Sequence, residues 1–324
     1  MKSRPFLFPE GLPNRLAELL YDLPLAAEPW TAIKGMGNVL EQVRILDEKG
    51  LIREIGPIFN PHLLGYRMTL AAGKVSDDRL EEVAKIISDH PGVSHNYLRD
   101  CEQFNLWFTL AVYGGDAELK NEIKKLSARS GISFRHFDSV KRYKISFRMD
   151  GKTLLPIEKT VRLNEFDPAM QKKMVMAIEI LQKGVGLVVR PFLELTQGTH
   201  LTESELIDLA KQLKQSGIMR RLGVTWRHRE LGLRENVLCV WQVSESEMDA
   251  LGEKAAMIPM ITHCYRRTIS PDWPWPMYTM IHGRTMADCE AVIDALQRSF
   301  PGVKSLALRT LKEFKKTKIV YRIF

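Results

Sequence analysis

The chain has 324 residues, 45% of them apolar and 27% charged, with a formal net charge of +8. That length holds two to four compact domains, each with its own core. No apolar run approaches the length of a membrane span and no signal-peptide apolar region is evident, so a cytoplasmic protein is expected. Cys101, Cys239, Cys264 and Cys289 lie far apart, which argues against a disulfide framework or a zinc site. The positive balance calls for an anionic partner, either nucleic acid or a small molecule with many carboxylates.

In chain order, the first segment is rich in proline (Pro5, Pro9, Pro13, Pro24, Pro29). Helical spacing follows over 14–23, 30–33 and 39–49, and then a strand pair or wing. Strand and helix patterns alternate after that: a strand over 66–75, a helix over 77–89, strands over 93–99 and 105–112, a helix over 116–130 and a long strand over 134–148. This order is β-α-β-β-α-β, the ferredoxin-like arrangement. The second half repeats the plan. Helices are predicted over 170–181 and 190–195. Thr202-Glu203-Ser204-Glu205 reads as a capping box for a helix running to Gln215, and Ile218 to Arg227 as a strand pair or wing. Strands over 236–243, 261–267, 277–282 and 304–322 then alternate with helices over 245–257 and 286–300, the first opened by a second capping box, Ser244-Glu245-Ser246-Glu247.

The repetition is also visible residue by residue. Gly50-Leu51-Ile52-Arg53 with Gly56 and Leu64-Gly65 matches Gly217-Ile218-Met219-Arg220 with Gly223 and Leu231-Gly232. Near the ends of the halves, Val140 to Arg148 aligns with Phe314 to Arg322, so that Lys144 matches Lys318. Two copies are too few for a solenoid, and a fused pseudo-dimer is the better reading. The expected fold class is α+β: a tandem repeat of a winged helix-turn-helix and a ferredoxin-like βαββαβ domain. The expected boundaries are a degenerate winged helix-turn-helix over 1–60, a ferredoxin-like domain over 61–150 and a linker over 151–168. A second winged helix-turn-helix over 169–228 and a second ferredoxin-like domain over 229–324 follow.

One motif occurs in both halves with chemistry on it. His95-Asn96-Tyr97-Leu98-Arg99 recurs as His263-Cys264-Tyr265-Arg266-Arg267. On a strand, His, Tyr and Arg at i, i+2 and i+4 project from one face. A proton donor, a phenol and a fixed cation there suit an anionic substrate. His95 and His263 can move a proton near neutral pH or ligate iron. Arg99 and Arg267 read either as solvated strand ends or as clamps on a carboxylate. Tyr97 and Tyr265 either fill core or orient a ligand. Asn105 and Trp107 share the face of the next strand, where Trp107 either packs in the core or stacks on a flat ligand. Trp273, in the stiff run Trp273-Pro274-Trp275-Pro276, reads as a wall, with His282 and Arg284 within reach of the same place. Cys264 faces the other way from His263, so no cysteine nucleophile is expected, and no phosphate-binding loop is present.

A winged helix followed by a ferredoxin-like domain resembles the Lrp/AsnC regulators. The stretch from His90 to Asp100, continued by Phe104 to Leu110, together with Thr262 to Arg267, Asp272-Trp273-Pro274 and His282-Gly283-Arg284, more sharply resembles the siroheme decarboxylases. Arg229-Glu230-Leu231-Gly232 and Glu313 to Thr317 add to this resemblance, which covers nearly everything after about residue 40. It implies removal of two acetate carboxyls, at rings C and D of siroheme, to give didecarboxysiroheme in heme or heme d1 biosynthesis. It also implies no cofactor beyond the iron-containing tetrapyrrole substrate. His95, Tyr97, His263 and Tyr265 are the implied catalytic group. Arg99, Arg266, Arg267, Asn105, Trp107, Trp273 and His282 are the implied substrate contacts, with His95 or His263 open as an axial ligand to the substrate iron. The rival readings are a ligand-responsive DNA-binding regulator and a tetrapyrrole-binding module without catalysis. Acidic starts on the helix-turn-helix helices (Glu203, Glu205, Asp208; Glu41, Asp47, Glu48) argue against DNA. The expected assembly is a monomeric pseudo-dimer or a homodimer.

Overall fold

The computed structural model describes residues 14–145, 160–227 and 229–323. In chain order the elements are α1 (Asn14–Leu19), α2 (Val39–Glu48), β1 (Ile52–Phe59), β2 (Tyr66–Gly73), α3 (Leu80–Ser88), β3 (Val93–Arg99), β4 (Leu106–Tyr113), α4 (Asp116–Ser130) and β5 (Arg135–Ile145). The second half gives α5 (Pro168–Leu181), α6 (Pro191–Thr196), α7 (Glu203–Gln215), β6 (Met219–Trp226), β7 (Glu235–Gln242), α8 (Met248–Ala256), β8 (Ile261–Arg267), β9 (Met277–Gly283), α9 (Met286–Ser299) and β10 (Lys304–Lys316). Much of the expected linker, the first three prolines of the N-terminal run, His228 and the end of the strand expected to reach Arg148 lie outside the described residues.

The chain divides into two compact units. The first holds the helix-turn-helix elements of both halves. Asp167 caps α5 by accepting from the N–H groups of Ala169 and Met170, and the capping box at Thr202 and Glu205 opens α7. Two expectations are corrected here. Trp30 to Ile33 forms turns rather than a helix: Gly35 adopts φ +82 close behind, and the Trp30 indole is drawn off to the carbonyl of Val188. The expected wings are single strands, and each finds its partner in the other half. β1 and β6 pair antiparallel, with Gly56 opposite Gly223. These two glycines are the matching positions of the repeat, so the pseudo-two-fold axis of this unit passes between them.

The second unit contains both βαββαβ repeats, closed into one eight-stranded barrel of order β10-β3-β4-β2-β5-β8-β9-β7. Closure depends on the two long strands. β5 pairs with β2 through Asp138 and with β8 from Ser139 onward. β10 pairs with β7 through Arg309 and with β3 from Thr310 onward. Each repeat thus ends in a strand that continues into the other repeat's sheet, which removes free edges. Helices cover the outside: α3 and α4 pack on one apolar cluster, and α8 and α9 on another. A third cluster contains no helix residue and fills the inner face with Trp107, Phe137, Leu238, Val240, Tyr278 and Leu308.

The pairing also corrects the repeat alignment. Lys144 stands opposite Cys264 and Lys315 opposite Asn96. Tyr143 and Phe314 pack on the helix-covered clusters of opposite repeats. Lys144 therefore matches Lys315, not Lys318. A lysine-rich strand aligns about equally well at several registers, and only cross-strand pairing selects one. Further differences concern helix starts. Residues Asp77–Arg79 and Glu245–Glu247 are 3-10 turns preceding α3 and α8. The capping box expected at Ser244 does not form: the segment opens as a 3-10 turn, and the Ser244 hydroxyl bonds the Glu247 carboxylate at 2.7 Å without capping a backbone N–H. Thr285 and Asp288 form one before α9 instead.

Candidate active site

The two His–Tyr–Arg motifs lie on β3 and β8, which stand four places apart in the closed order of eight and so face each other across the barrel. Tyr97 pairs with Trp107, and Tyr265 with Tyr278. Directly opposed residues of a ladder share a face, so both motifs belong to the inner face. The residues between them turn outward. The Asn96 amide donates to Ala84 O and Ser88 Oγ on α3, and the Cys264 thiol lies 3.7 Å from Gly252 O on α8. Cys264 thus faces away from His263, as its strand parity requires, and burial pushes its thiol up to about 12.

Each motif forms a column. The His95 and Tyr97 rings are 6.0 Å apart, and the Arg99 guanidinium sits 5.1 Å from the Tyr97 ring centre. In the second repeat the rings of His263 and Tyr265 are 6.3 Å apart and Arg267 lies 4.8 Å from Tyr265. Accessibility grades along the column. Arg99 is buried at 2% and Tyr97 at 7%, His95 is partly accessible and His263 exposed. A ligand entering from solvent meets the imidazoles first.

The arginines are not solvated strand ends. Arg99 Nη1 donates to Leu308 O and Thr310 Oγ1 at 3.2 and 3.0 Å, and Arg267 Nη1 donates to Phe137 O at 2.7 Å. Their Nε atoms are buried and hydrogen-bond to nothing. Neither makes an ion pair among the described residues. Burial pushes Arg99 down to about 10 and lowers Arg267 as well. Buried Arg99 thus leaves positive charge on the inner face that no ion pair among the described residues neutralises, whereas Arg267 is half-buried and feels the Asp138 carboxylate.

Sequence reasoning missed what holds the histidines. Both ladders slip at the same place: one extra residue, Ser94, sits between Val93 and His95, and Thr262 sits between Ile261 and His263. A bulge of this kind re-aims side chains. Ser94 Oγ lies 2.8 Å from His95 Nδ1, and Thr262 Oγ1 lies 2.8 Å from His263 Nδ1. The signal was present as a hydroxyl residue directly before each histidine. Also missed were Arg142, opposite Tyr265, and Glu313, opposite Tyr97. Glu313 is held by Lys316, which stands opposite His95, at 3.8 Å.

The remaining expected contacts divide: Arg266 and Asn105 are engaged outside the columns, whereas Trp107 and Trp273 lie in the inner cluster with Tyr278. Arg266 alternates to the outside and pairs bidentately with Glu245 at 2.7 and 3.0 Å. Asn105 lies just before β4, and its amide clasps Val75 from both sides, accepting at 2.9 Å and donating at 2.8 Å. Trp107 is core: its indole N–H reaches Phe104 O at 2.6 Å and its ring stacks on Phe137 at 5.7 Å. Trp273 is buried beside it, 5.5 Å away, and donates to the Tyr278 hydroxyl at 2.9 Å. Both rings fill the barrel because large apolar faces gain most there. His282 is buried on β9 and approaches His263 through Thr262. Among the described residues no group of three or more His, Cys, Asp or Glu side chains is placed to hold a metal ion, and no helix is long and apolar enough to cross a membrane.

Fold and inner face together define an AsnC-like ligand-binding protein in pseudo-dimeric form. A family model described as the AsnC-like ligand binding domain matches residues 63–144 and again 230–315. A second family model, described as the siroheme decarboxylase NirDL-like HTH domain, matches residues 176–220. The chain is 33% identical over 309 residues to the siroheme decarboxylase of Hydrogenobacter thermophilus, covering 93% of this chain and 91% of the relative. It is 36% identical over 159 residues to the siroheme decarboxylase beta subunit of Desulfovibrio desulfuricans, a match of 49% of this chain and 98% of that subunit. The crystal structure of the siroheme decarboxylase NirDL in complex with an iron-uroporphyrin III analogue superposes with a TM-score of 0.72 at 30% identity, covering 95% of this chain and 93% of that one. The chain belongs to the siroheme decarboxylase family.

Proposed function

We propose that this chain removes the acetate carboxyls at rings C and D of siroheme and releases didecarboxysiroheme. The observation that carries the reading is the doubled His–Tyr–Arg column, with an arginine that makes no ion pair among the described residues at one end of each and accessible imidazoles at the other. Arg99 and Arg267 attract the spectator carboxylates of the polyanion. When CO2 leaves, its bonding electron pair stays on the methylene carbon, and the conjugated macrocycle delocalises it. The substrate therefore supplies its own electron sink, and no added cofactor is needed. His95 or His263 then delivers a proton to that carbon, and Tyr97 and Tyr265 orient the ring that does so.

The family relatives and the tetrapyrrole analogue held by the NirDL neighbour support this reading. Two features speak against DNA as the partner. Glu203 and Glu205 occupy the first turn of α7 and Glu41 that of α2, where a reader of DNA presents cations to phosphate. The barrel closes within one polypeptide, which favours a monomeric pseudo-dimer over an obligate homodimer. Anaerobic incubation of the purified chain with siroheme, followed by mass spectrometry, tests the proposal. Loss of two CO2 units is expected. Siroheme bound and returned unchanged would instead make the chain a tetrapyrrole-binding module.

A further inference from the structure

We propose that Thr262 and His282 form a proton relay behind His263 that the first repeat lacks, so that the two columns are chemically unequal. The proposal rests on the decarboxylase reading for its function and on hydrogen-bond geometry for its existence. Thr262 Oγ1 lies 2.8 Å from His263 Nδ1 and 3.1 Å from His282 Nε2. Thr262 is 1% exposed and His282 7%. A hydroxyl has a single proton. Placed between two ring nitrogens, Thr262 donates to one and accepts from the other, so the proton positions of the two imidazoles are coupled.

The step balances. His282 begins as the imidazolium and His263 as the neutral tautomer protonated on Nε2. The Nε2–H bond of His282 breaks and its proton passes to Thr262 Oγ1. The hydroxyl proton of Thr262 passes to His263 Nδ1. The Nε2–H bond of His263 breaks, and its proton forms the new C–H bond with the electron pair left by CO2. Both imidazoles end neutral and Thr262 is restored. His263 thus gives up a proton without becoming an imidazolate, the state that would make neutral imidazole a poor acid.

In the first repeat the equivalent hydroxyl, Ser94 Oγ, lies 2.8 Å from Thr109 Oγ1. Val93 pairs with Leu110 as Ile261 pairs with Ile281, so the position matching His282 is Ala111. Ser94 aims His95, and among the described residues no second imidazole lies behind it. In this scheme Thr262 and His282 are positioning residues acting through His263.

The test is 15N NMR of histidine-labelled protein without substrate, combined with siroheme turnover. In Thr262→Val the His263 Nδ1 and His282 Nε2 resonances should both move, and in Thr262→Ser both should return. Turnover in Thr262→Val should fall about 10²-fold at unchanged KM, with recovery in Thr262→Ser. His282→Asn, which leaves Thr262 in place, should move the His263 Nδ1 resonance and lower kcat; it serves if Thr262→Val does not fold. Resonances that stay put in Thr262→Val, or resonances that move while kcat stays at wild type, would overturn the relay. Coupled resonances in a wild-type chain that leaves siroheme intact would overturn the decarboxylase reading and leave the coupled pair standing.

Discussion

Ser94 stands to His95 as Thr262 stands to His263: each hydroxyl lies 2.8 Å from Nδ1 of the next residue, across a bulge at the same strand position. Two repeats that differ at most positions keep this hold on the ring. The imidazole is oriented by the backbone irregularity and not by strand geometry alone.

Removing that ring should separate activity from stability. His263 is exposed, so His263→Ala leaves little cavity. Its turnover of siroheme should fall about 10²- to 10⁴-fold, while its thermal unfolding midpoint stays near that of wild type. Wild-type turnover in a folded variant would remove His263 from the mechanism. His95→Ala, assayed alongside, tells which column acts at which ring.

The buried guanidinium at the other end of the column predicts the opposite division. Arg99 has no ion-pair partner among the described residues, and one of its donors is unused. An apolar chain of similar volume removes the desolvation cost of an unpaired buried charge while keeping the packing. Arg99→Met should therefore keep or raise the unfolding free energy, by about 1 kcal/mol, yet weaken siroheme binding about tenfold, which corresponds to about 1.4 kcal/mol. Urea unfolding and absorbance titration measure the two. Unfolding at lower urea with unchanged affinity would make Arg99 a purely structural residue.

The helix-turn-helix unit offers a steric test. A Cβ on Gly223 would lie 2.6 Å from Leu20 O and nearer still to Tyr21 O. Gly223→Ala should cost about 3 kcal/mol, as other overpacked sites do. Gly232 has φ +83 and no atom within 4 Å of its missing Cβ. Gly232→Ala should cost only about 1 kcal/mol, from backbone strain alone. Equal losses in urea unfolding would contradict the close strand–backbone approach at Gly223.

Lys144 predicts how stability follows pH. Burial lowers it from the usual 10.5 to about 8, while its ammonium donates to Ile258 O at 2.9 Å. Between these values the unfolded chain holds a proton that the folded chain has released. More protons on the unfolded state mean that stability rises with pH across this window. Below it, the cost of burying the ammonium is felt in full. Lys144→Met should unfold at higher urea than wild type at neutral pH, with the difference shrinking as pH approaches 10.5. A difference independent of pH would show that Lys144 is not the group responsible.

Much of this protein was legible before any coordinates. Strand β8 runs from Ile261 to Arg267 as the alternation predicts, because a period-two pattern of apolar and polar residues is a local property of the chain. The same holds for the helix that Thr202 caps, whose signal lies within four residues, and for the shared face of His, Tyr and Arg. Duplication was legible too, since Gly56 and Gly223 mark matching places in two copies.

What the sequence left open depends on partners distant along the chain. No local signal says that β1 pairs with β6 or that β5 crosses into the second repeat's sheet. The alignment of Lys144 with Lys318 failed for that reason, and strand pairing replaced it with Lys315. Asn105 and Trp107 have the residue types of a binding site, and only their surroundings show the amide spent on Val75 and the indole packed on Phe137. The sequence by itself determined which residues form each strand and which side chains share its face, because rotation along a backbone is set by neighbours. Tertiary structure alone decided which of those faces stay open to a ligand, because hydrogen bonds and burial are settled by whatever segment arrives opposite.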